Sequence, residues 1–188
     1  MSIKFIHSDC LKWAKSLPNK SVDHIITDYE YGADFPFVEF LRICKGTILT
    51  FCSEYDNPLQ GNRTEIAYWI KTPSTKNYKK KLGRFVEQIH ILKQDEYNIF
   101  NTDLHWSNYT GVYTDMVEEK GWLWRKPLSL IERLVRIYTN ENDLIADPFC
   151  GYGTTGNACK KLNRNFVGID TDSERIKWCR ENIERRKK

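Results

Sequence analysis

Residues 143–172, DLIADPFCGYGTTGNACKKLNRNFVGIDTD, most constrain what this chain can fold into. A short apolar run, Leu144, Ile145 and Ala146, ends in Asp147. Gly151, Gly153 and Gly156 follow with G-x-G-x-x-G spacing, and a helix-compatible stretch comes next. A second apolar run, Phe166 to Ile169, then ends in Asp170. The order is strand, loop, helix, strand, with an acid closing each strand. Two strands and a helix cannot bury a core alone, so the remaining strands must come from the N-terminal part. Strands alternating with helices imply an α/β fold, a doubly wound and mostly parallel Rossmann-like sheet. Such a unit usually opens its domain. Here it nearly closes the chain, so the sheet is expected to be circularly permuted.

The loop also suggests its ligand. Glycines let a backbone turn tightly and approach a ligand at a helix N-terminus. Asp170 lies 19 residues after Gly151, where an acid can bind ribose hydroxyls. A plain strand-to-helix turn would use the same glycines. A dinucleotide would set its pyrophosphate on the helix N-terminus, where Asp147 would repel it at short range. S-adenosylmethionine has no phosphate, and its sulfonium, ammonium and ribose suit acids at both strand ends. It is therefore the expected cofactor, with a nicotinamide-dependent oxidoreductase resting on the glycine pattern alone.

With 188 residues, the chain reads as one domain, large enough to bury about 70% of its unfolded surface. No stretch approaches the roughly 18 apolar residues of a membrane span, and the N-terminus lacks a signal-peptide core. The six cysteines (Cys10, Cys44, Cys52, Cys150, Cys159 and Cys179) show no CxxC pair or zinc spacing. They read as reduced thiols of a cytoplasmic protein, with Cys150 filling space. The four histidines share no ligand spacing, so no metal is assigned. Net charge is +4, mild by itself. Its distribution says more: Lys76, Lys79, Lys80, Lys81 and Arg84 surround Tyr78, a candidate phosphate contact. The run Arg185 to Lys188 reads as a solvated helix end.

The local pattern predicts strands over 2–7, Val22–Thr27, Thr47–Cys52, Ile66–Lys71 and Phe85–Lys93. It predicts helices over Cys10–Leu17, Glu39–Ile43 and Leu128–Tyr138, the last with Leu130, Leu134 and Ile137 on one face. Ser74–Arg84 reads as a basic loop, and Asp95–Lys120 as irregular surface. Asp9, Asp28, Asp147 and Asp170 each follow or end an apolar run. Ligands in such sheets bind beyond the carboxyl ends of strands, so these acids are expected along one edge.

Several segments are also familiar. DPFCGYGTTG with NFVGIDTD resembles the cofactor motif of amino-group DNA methyltransferases, D-P-F-x-G-x-G-T-T. Lys126-Pro127 with Leu128, Leu130, Ile131, Glu132, Arg133 and Leu134 resembles the helix that precedes that motif. Ile6-His7-Ser8-Asp9-Cys10 and Val22 to Asp28 are similar to the family's run into its catalytic motif. The resemblance covers the first 55 and last 65 residues well and the middle loosely, with the catalytic block first, as in the family's β group. It implies an S-adenosylmethionine-dependent methyltransferase fold. It also implies a cofactor site of Asp9, Cys10, Asp28, Lys126, Asp147, Phe149, Gly151, Gly153, Thr154, Thr155 and Asp170. Phe149 would pack on the cofactor, and Thr154, Thr155 and Lys126 would meet its carboxylate.

By the same resemblance, Asp28-Tyr29-Glu30-Tyr31 stands where the family has its catalytic D-P-P-Y. Asp28 and the Tyr29 carbonyl would accept from an exocyclic amine, and Tyr31 would stack on a base flipped from duplex DNA. Tyr29 and Glu30 replace two prolines, which normally fix the backbone without N–H donors. Glu30 adds a carboxylate beside the base. The Asp form favours adenine N6, since cytosine N4 relatives more often carry Ser there. The alternative is a non-catalytic relative serving as a nucleic-acid-binding or regulatory subunit. Target reading would fall to an insertion over 56–121. So small a region implies a short target, or help from a homodimer or partner chain.

Overall fold

β-Branched and aromatic runs between turn residues become the strands of this chain. The computed structural model describes residues 1–29, 36–52, 64–71, 86–94, 100–102, 110–114 and 125–184. Strands β1 (Ile3–His7), β2 (His24–Thr27) and β3 (Thr47–Cys52) come from the N-terminal part. Strands β4 (Thr64–Ile70), β5 (Val86–Lys93) and β6 (Val112–Tyr113) follow, then β7 (Leu144–Asp147) and β8 (Asn165–Asp170). The helices are α1 (Cys10–Lys15), α2 (Phe37–Ile43), α3 (Leu128–Tyr138), α4 (Thr154–Lys161) and α5 (Ser173–Cys179), with a π-helical turn over Arg180–Glu184.

One sheet holds these strands in the order β1-β8-β7-β2-β3-β5-β4-β6. The last two strands of the chain are thus inserted between its first two, which is the permutation expected from the sequence. The pairs from β1 through β3 are all parallel. Only β5 is reversed, antiparallel to both β3 and β4, and β6 returns parallel to β4. From β7 the chain crosses through α4 to β8 on one side; from β2 it crosses through α2 to β3 on the other. The sheet order therefore reverses between β7 and β2, and sheets of this kind bind ligands outside the carboxyl ends at such a point.

Both faces of the sheet are covered. On one, α3, α4 and α5 pack Leu130, Leu134, Ile137, Ala158 and Ile176 against Phe5, Ile26, Ile145 and Phe166. On the other, Trp13 of α1 and Phe40 of α2 pack on Ile25, Ile48 and Ile169. The predicted stripe of α3 is fully buried: Leu130, Leu134 and Ile137 are each 0% exposed. Among the described residues, no helix is long and apolar enough to cross a membrane.

Two local expectations are corrected. The strand expected from Val22 begins at His24, and Val22 makes only an isolated bridge to Cys44. Between them Asp23 still bonds across by its backbone, to the Leu144 carbonyl and from the Gly46 N–H at 2.9 Å each, while its carboxylate accepts the Leu144 N–H at 2.7 Å and pairs with Lys45 at 2.7 Å. The stretch 95–120, expected to be irregular, contributes β6, whose two residues pair with Tyr68 and Trp69. Two residues carry no periodicity to read. The described parts of 56–121 thus extend the main sheet through β4, β5 and β6. The rest of that stretch lies outside the described residues, as does the Arg185–Lys188 tail.

Leu134→Ala is expected to cost about 2–5 kcal/mol in urea unfolding, through lost transfer energy and a cavity between α3 and the sheet. Val38→Ala, at a position 76% exposed, is expected to stay within about 0.5 kcal/mol of the parent.

Candidate active site

Parallel pairing brings the carboxyl ends of β1, β8, β7 and β2 to one edge. The four expected acids lie along it, in different environments. Asp147 is 3% exposed and turns inward. Its Oδ1 accepts from the Thr27 hydroxyl at 2.7 Å and the Phe149 N–H at 3.2 Å. Thr155 donates to it as well. Burial outweighs these donors and pushes the carboxyl up to about 7. Asp170 also serves the loop: its Oδ2 accepts the Gly151 N–H at 2.9 Å and its Oδ1 the Asp172 N–H at 2.8 Å. Asp9 is exposed and caps α1 by accepting the Lys12 N–H at 2.8 Å. Cys10 opens that helix half-buried, and burial raises its thiol.

Between Asp147 and α4 the loop closes through the Gly153 N–H, which donates to the Cys150 carbonyl at 2.7 Å. Gly151 has φ +49, and a Cβ added there would meet nothing within 4 Å. Its outer side is open room. Gly153, the N-cap of α4, has φ +72, and a Cβ there would come within 2.8 Å of Ile183. One glycine therefore faces space and the other faces the core. Cys150 is buried, and burial holds its thiol well above the ordinary range, which suits a space-filling residue rather than a nucleophile. Thr155 is buried toward Asp147, while Thr154 stays half-buried at the helix start. Phe149 is half-buried, its ring 6.4 Å from that of Tyr29.

Asp28, just past β2, sits in an ionic chain. Lys126 donates to Asp28 Oδ2 at 2.8 Å and lies 3.1 Å from Glu87 Oε2. Lys71 donates to the other Glu87 oxygen at 2.6 Å. The Lys126 ammonium also stands over the rings of Phe51 and Trp69, 4.9 and 5.8 Å from their centroids. Burial raises the Asp28 carboxyl, and Lys126 pulls the other way. For Glu87, burial works upward but is outweighed by Lys126 and Lys71, so its carboxyl lies below the usual value. Burial works to lower Lys126, and the two carboxylates outweigh it, so its ammonium is raised.

Glu87 escaped the sequence reading. The available signal was its position: it shares a strand face with Ile89 and Ile91, a charge where an apolar residue is expected. Lys126, expected near a cofactor carboxylate, is held by two carboxylates of this chain. Tyr29 is 2% exposed, its ring turned into the fold. Glu30, Tyr31, Lys76, Tyr78, Lys79, Lys80, Lys81 and Arg84 lie outside the described residues. Among the described residues, no group of three or more His, Cys, Asp or Glu is arranged to hold a metal ion.

A glycine loop over the switch point of a mostly parallel sheet, with acids at the strand ends, defines a Rossmann-like nucleoside-binding protein. The chain belongs to the DNA methylase family of N6/N4 methyltransferases, whose match runs over residues 5–181. It is 42% identical over 80 residues to the type II methyltransferase M2.DpnII of Streptococcus pneumoniae, covering 40% of this chain and 29% of that protein. It is 51% identical over 51 residues to M1.MboII of Moraxella bovis, covering 27% of this chain and 20% of that one. The matched regions thus span less than a third of these curated relatives. Among solved structures, the M1.HpyAVI–SAM complex superimposes with a TM-score of 0.76 at 27% identity, covering 95% of this chain and 98% of that one. A putative DNA modification methylase of Thermus thermophilus shares the fold, with a TM-score of 0.75 at 18% identity over 96% of this chain and 93% of that one.

The buried carboxyl of Asp147 gives a pH signature. Its folded value of about 7 lies above the ordinary 3.8, so the folded chain holds an extra proton between those limits. Its contribution favours folding at low pH and is lost as pH rises through that window. Relative to the parent, Asp147→Asn is expected to remove a downward slope of up to about 1.4 kcal/mol per pH unit. Urea unfolding at a series of pH values checks this.

Proposed function

We propose that the protein is an S-adenosylmethionine-dependent DNA methyltransferase acting on an exocyclic base amine, adenine N6 in preference to cytosine N4. The observation that carries this reading is the position of Asp28. It follows β2 at the switch point, next to the glycine loop that follows β7. The residues fit the cofactor. Open room lies outside Gly151, Phe149 offers a half-buried ring, and acids line the same edge. These features suit a ribose and positive charge, and no pyrophosphate. Asp9, Cys10, Phe149, Gly151, Gly153, Thr154 and Asp170 would hold it, with Asp147 and Thr155 bracing the loop beneath. When bound, the cofactor supplies an electrophilic methyl on a sulfonium for direct in-line transfer, without a covalent enzyme intermediate.

The protein's own part is to prepare the amine. Lys126 anchors Asp28 through Oδ2, and Oδ1 accepts an amine N–H. The Tyr29 carbonyl accepts the second, which draws the nitrogen lone pair out of the ring. Tyr31 stacks on the flipped base. The Asp at position 28 supports adenine by its likeness to the family's Asp form. The basic cluster Lys76, Lys79, Lys80, Lys81 and Arg84, with Tyr78, would contact phosphates. Target reading would fall to loops within 56–121, as a homodimer or with a partner chain. The type II names of the relatives support a cytoplasmic role in restriction–modification.

A second reading is a non-catalytic, nucleic-acid-binding or regulatory relative. Tyr29 favours it, because a buried side chain stands where the motif has proline.

Labelled methyl groups are expected to pass from the cofactor to mixed duplex DNA, with the rate reduced about 10²-fold or more in Asp28→Ala. A cofactor-binding protein that methylates no DNA or RNA contradicts the first reading. Transfer that appears only in Tyr29→Pro/Glu30→Pro supports the second.

A further inference from the structure

Glu87 lies near the start of β5, which its antiparallel pairing with β3 brings to the carboxyl edge of the parallel strands, with a side chain 11% exposed. It faces the sheet interior in register with Trp69. An apolar residue there would pack without desolvating a charge, whereas a buried carboxylate needs excellent partners. Glu87 Oε1 accepts from Lys71 at 2.6 Å, and its buried Oε2, without a hydrogen bond among the described residues, is compensated by the charge of the Lys126 ammonium 3.1 Å away. Lys126 is thereby shared between two acids, and its other bond fixes Asp28 Oδ2 at 2.8 Å. Among the described residues only that oxygen of Asp28 is bonded, and its side chain remains 33% exposed. The chain Asp28, Lys126, Glu87, Lys71 alternates in sign and draws on four separate parts of the sequence.

We propose that Glu87 is a positioning residue for the Asp28 site: with Lys71 behind it, it holds Lys126 between two carboxylates and so sets how Asp28 is anchored and charged. This rests on the reading of Asp28 as the amine acceptor. Lys126 held by Asp28 alone would be free to swing with it. Lys126 drawn wholly to Glu87 would release it. Among the described residues, the charged groups that bear on Asp28 are Lys126 before α3, Glu87 on β5, Lys71 after β4 and Asp147 on β7. Loss of Glu87 removes negative charge from this set, and loss of Lys71 removes positive charge. The two changes must move the Asp28 titration in opposite directions, which general loosening of the fold would not do.

The test uses the full chain with ¹³C-carboxyl aspartate, the Asp28 signal being assigned by its loss in Asp28→Asn. The Asp28 midpoint is expected to fall in Glu87→Gln and to rise in Lys71→Met. In Glu87→Gln, kcat for DNA methylation is expected to drop about tenfold or more, with the cofactor Kd within about twofold of the parent. Midpoints that stay put or shift together overturn the proposal, as does an unchanged kcat in Glu87→Gln. Lys71→Met, at a side chain 25% exposed, decides the matter if Glu87→Gln does not fold. A parent protein that transfers no methyl defeats the proposed reaction, while the carboxyl titration still decides the role of Glu87.

Discussion

The hydrogen bond from the Gly151 N–H to Asp170 couples the glycine loop to the neighbouring strand. It can form only because β7 and β8 are adjacent and parallel, so that the loop leaving one passes the end of the other. Asp147 performs the matching task on the opposite side, through the Thr27 hydroxyl on β2. The loop is thus tied to both strands that flank β7. The start of α4 and the open room outside Gly151 follow from those two ties. Each acid satisfies loop or strand donors that would otherwise be costly to bury.

Much of this architecture was legible. Asp147 to Asp170 carries strand, glycine, helix and strand signals that agree with one another, and consistent local signals are what make a segment readable. The permutation followed from counting: a C-terminal unit of two strands needed partners from the N-terminal half. What escaped was short or depended on distant residues. The two residues of β6 are strand only because Tyr68 and Trp69 offer an edge. The start of β2 shifted by two residues, Val22 keeping a bridge to Cys44 while the Asp23 backbone still bonds across to Leu144 and Gly46.

In the site, position was legible and orientation was not. Strand ends told where Asp28, Asp147 and Asp170 would lie. They could not tell that Asp147 turns inward, because its strongest donor, Thr27, is 120 residues away in sequence. The same holds for Lys126, whose partners Asp28 and Glu87 reach it from β2 and β5. Glu87 left a weak trace, a charge on a buried strand face. The trace became interpretable only when Lys71 and Lys126 were seen on its two oxygens.

The edge therefore holds one residue type in different states. Asp147 spends its oxygens on neutral hydroxyl and amide donors, and Asp170 accepts two backbone amides with Arg175 at 3.9 Å, while Asp28 is hydrogen-bonded directly by a cation. On the proposed function, the difference would matter for a surface that admits a polyanion. An uncompensated carboxylate at the base site would repel approaching phosphates, and low dielectric would strengthen that repulsion. The alternating chain Asp28, Lys126, Glu87, Lys71 sums to zero charge. It keeps a strong acceptor at the site without a net negative field. On the proposed reading, Asp28 would both accept from a base amine and stand near nucleic acid, which calls for a counter-charge fixed in place. A lysine shared between two carboxylates is held more firmly than one paired with a single acid. The reversed direction of β5 brings Glu87, near its start, to the carboxyl edge of the parallel strands, and on the proposed reading it works there together with Asp28.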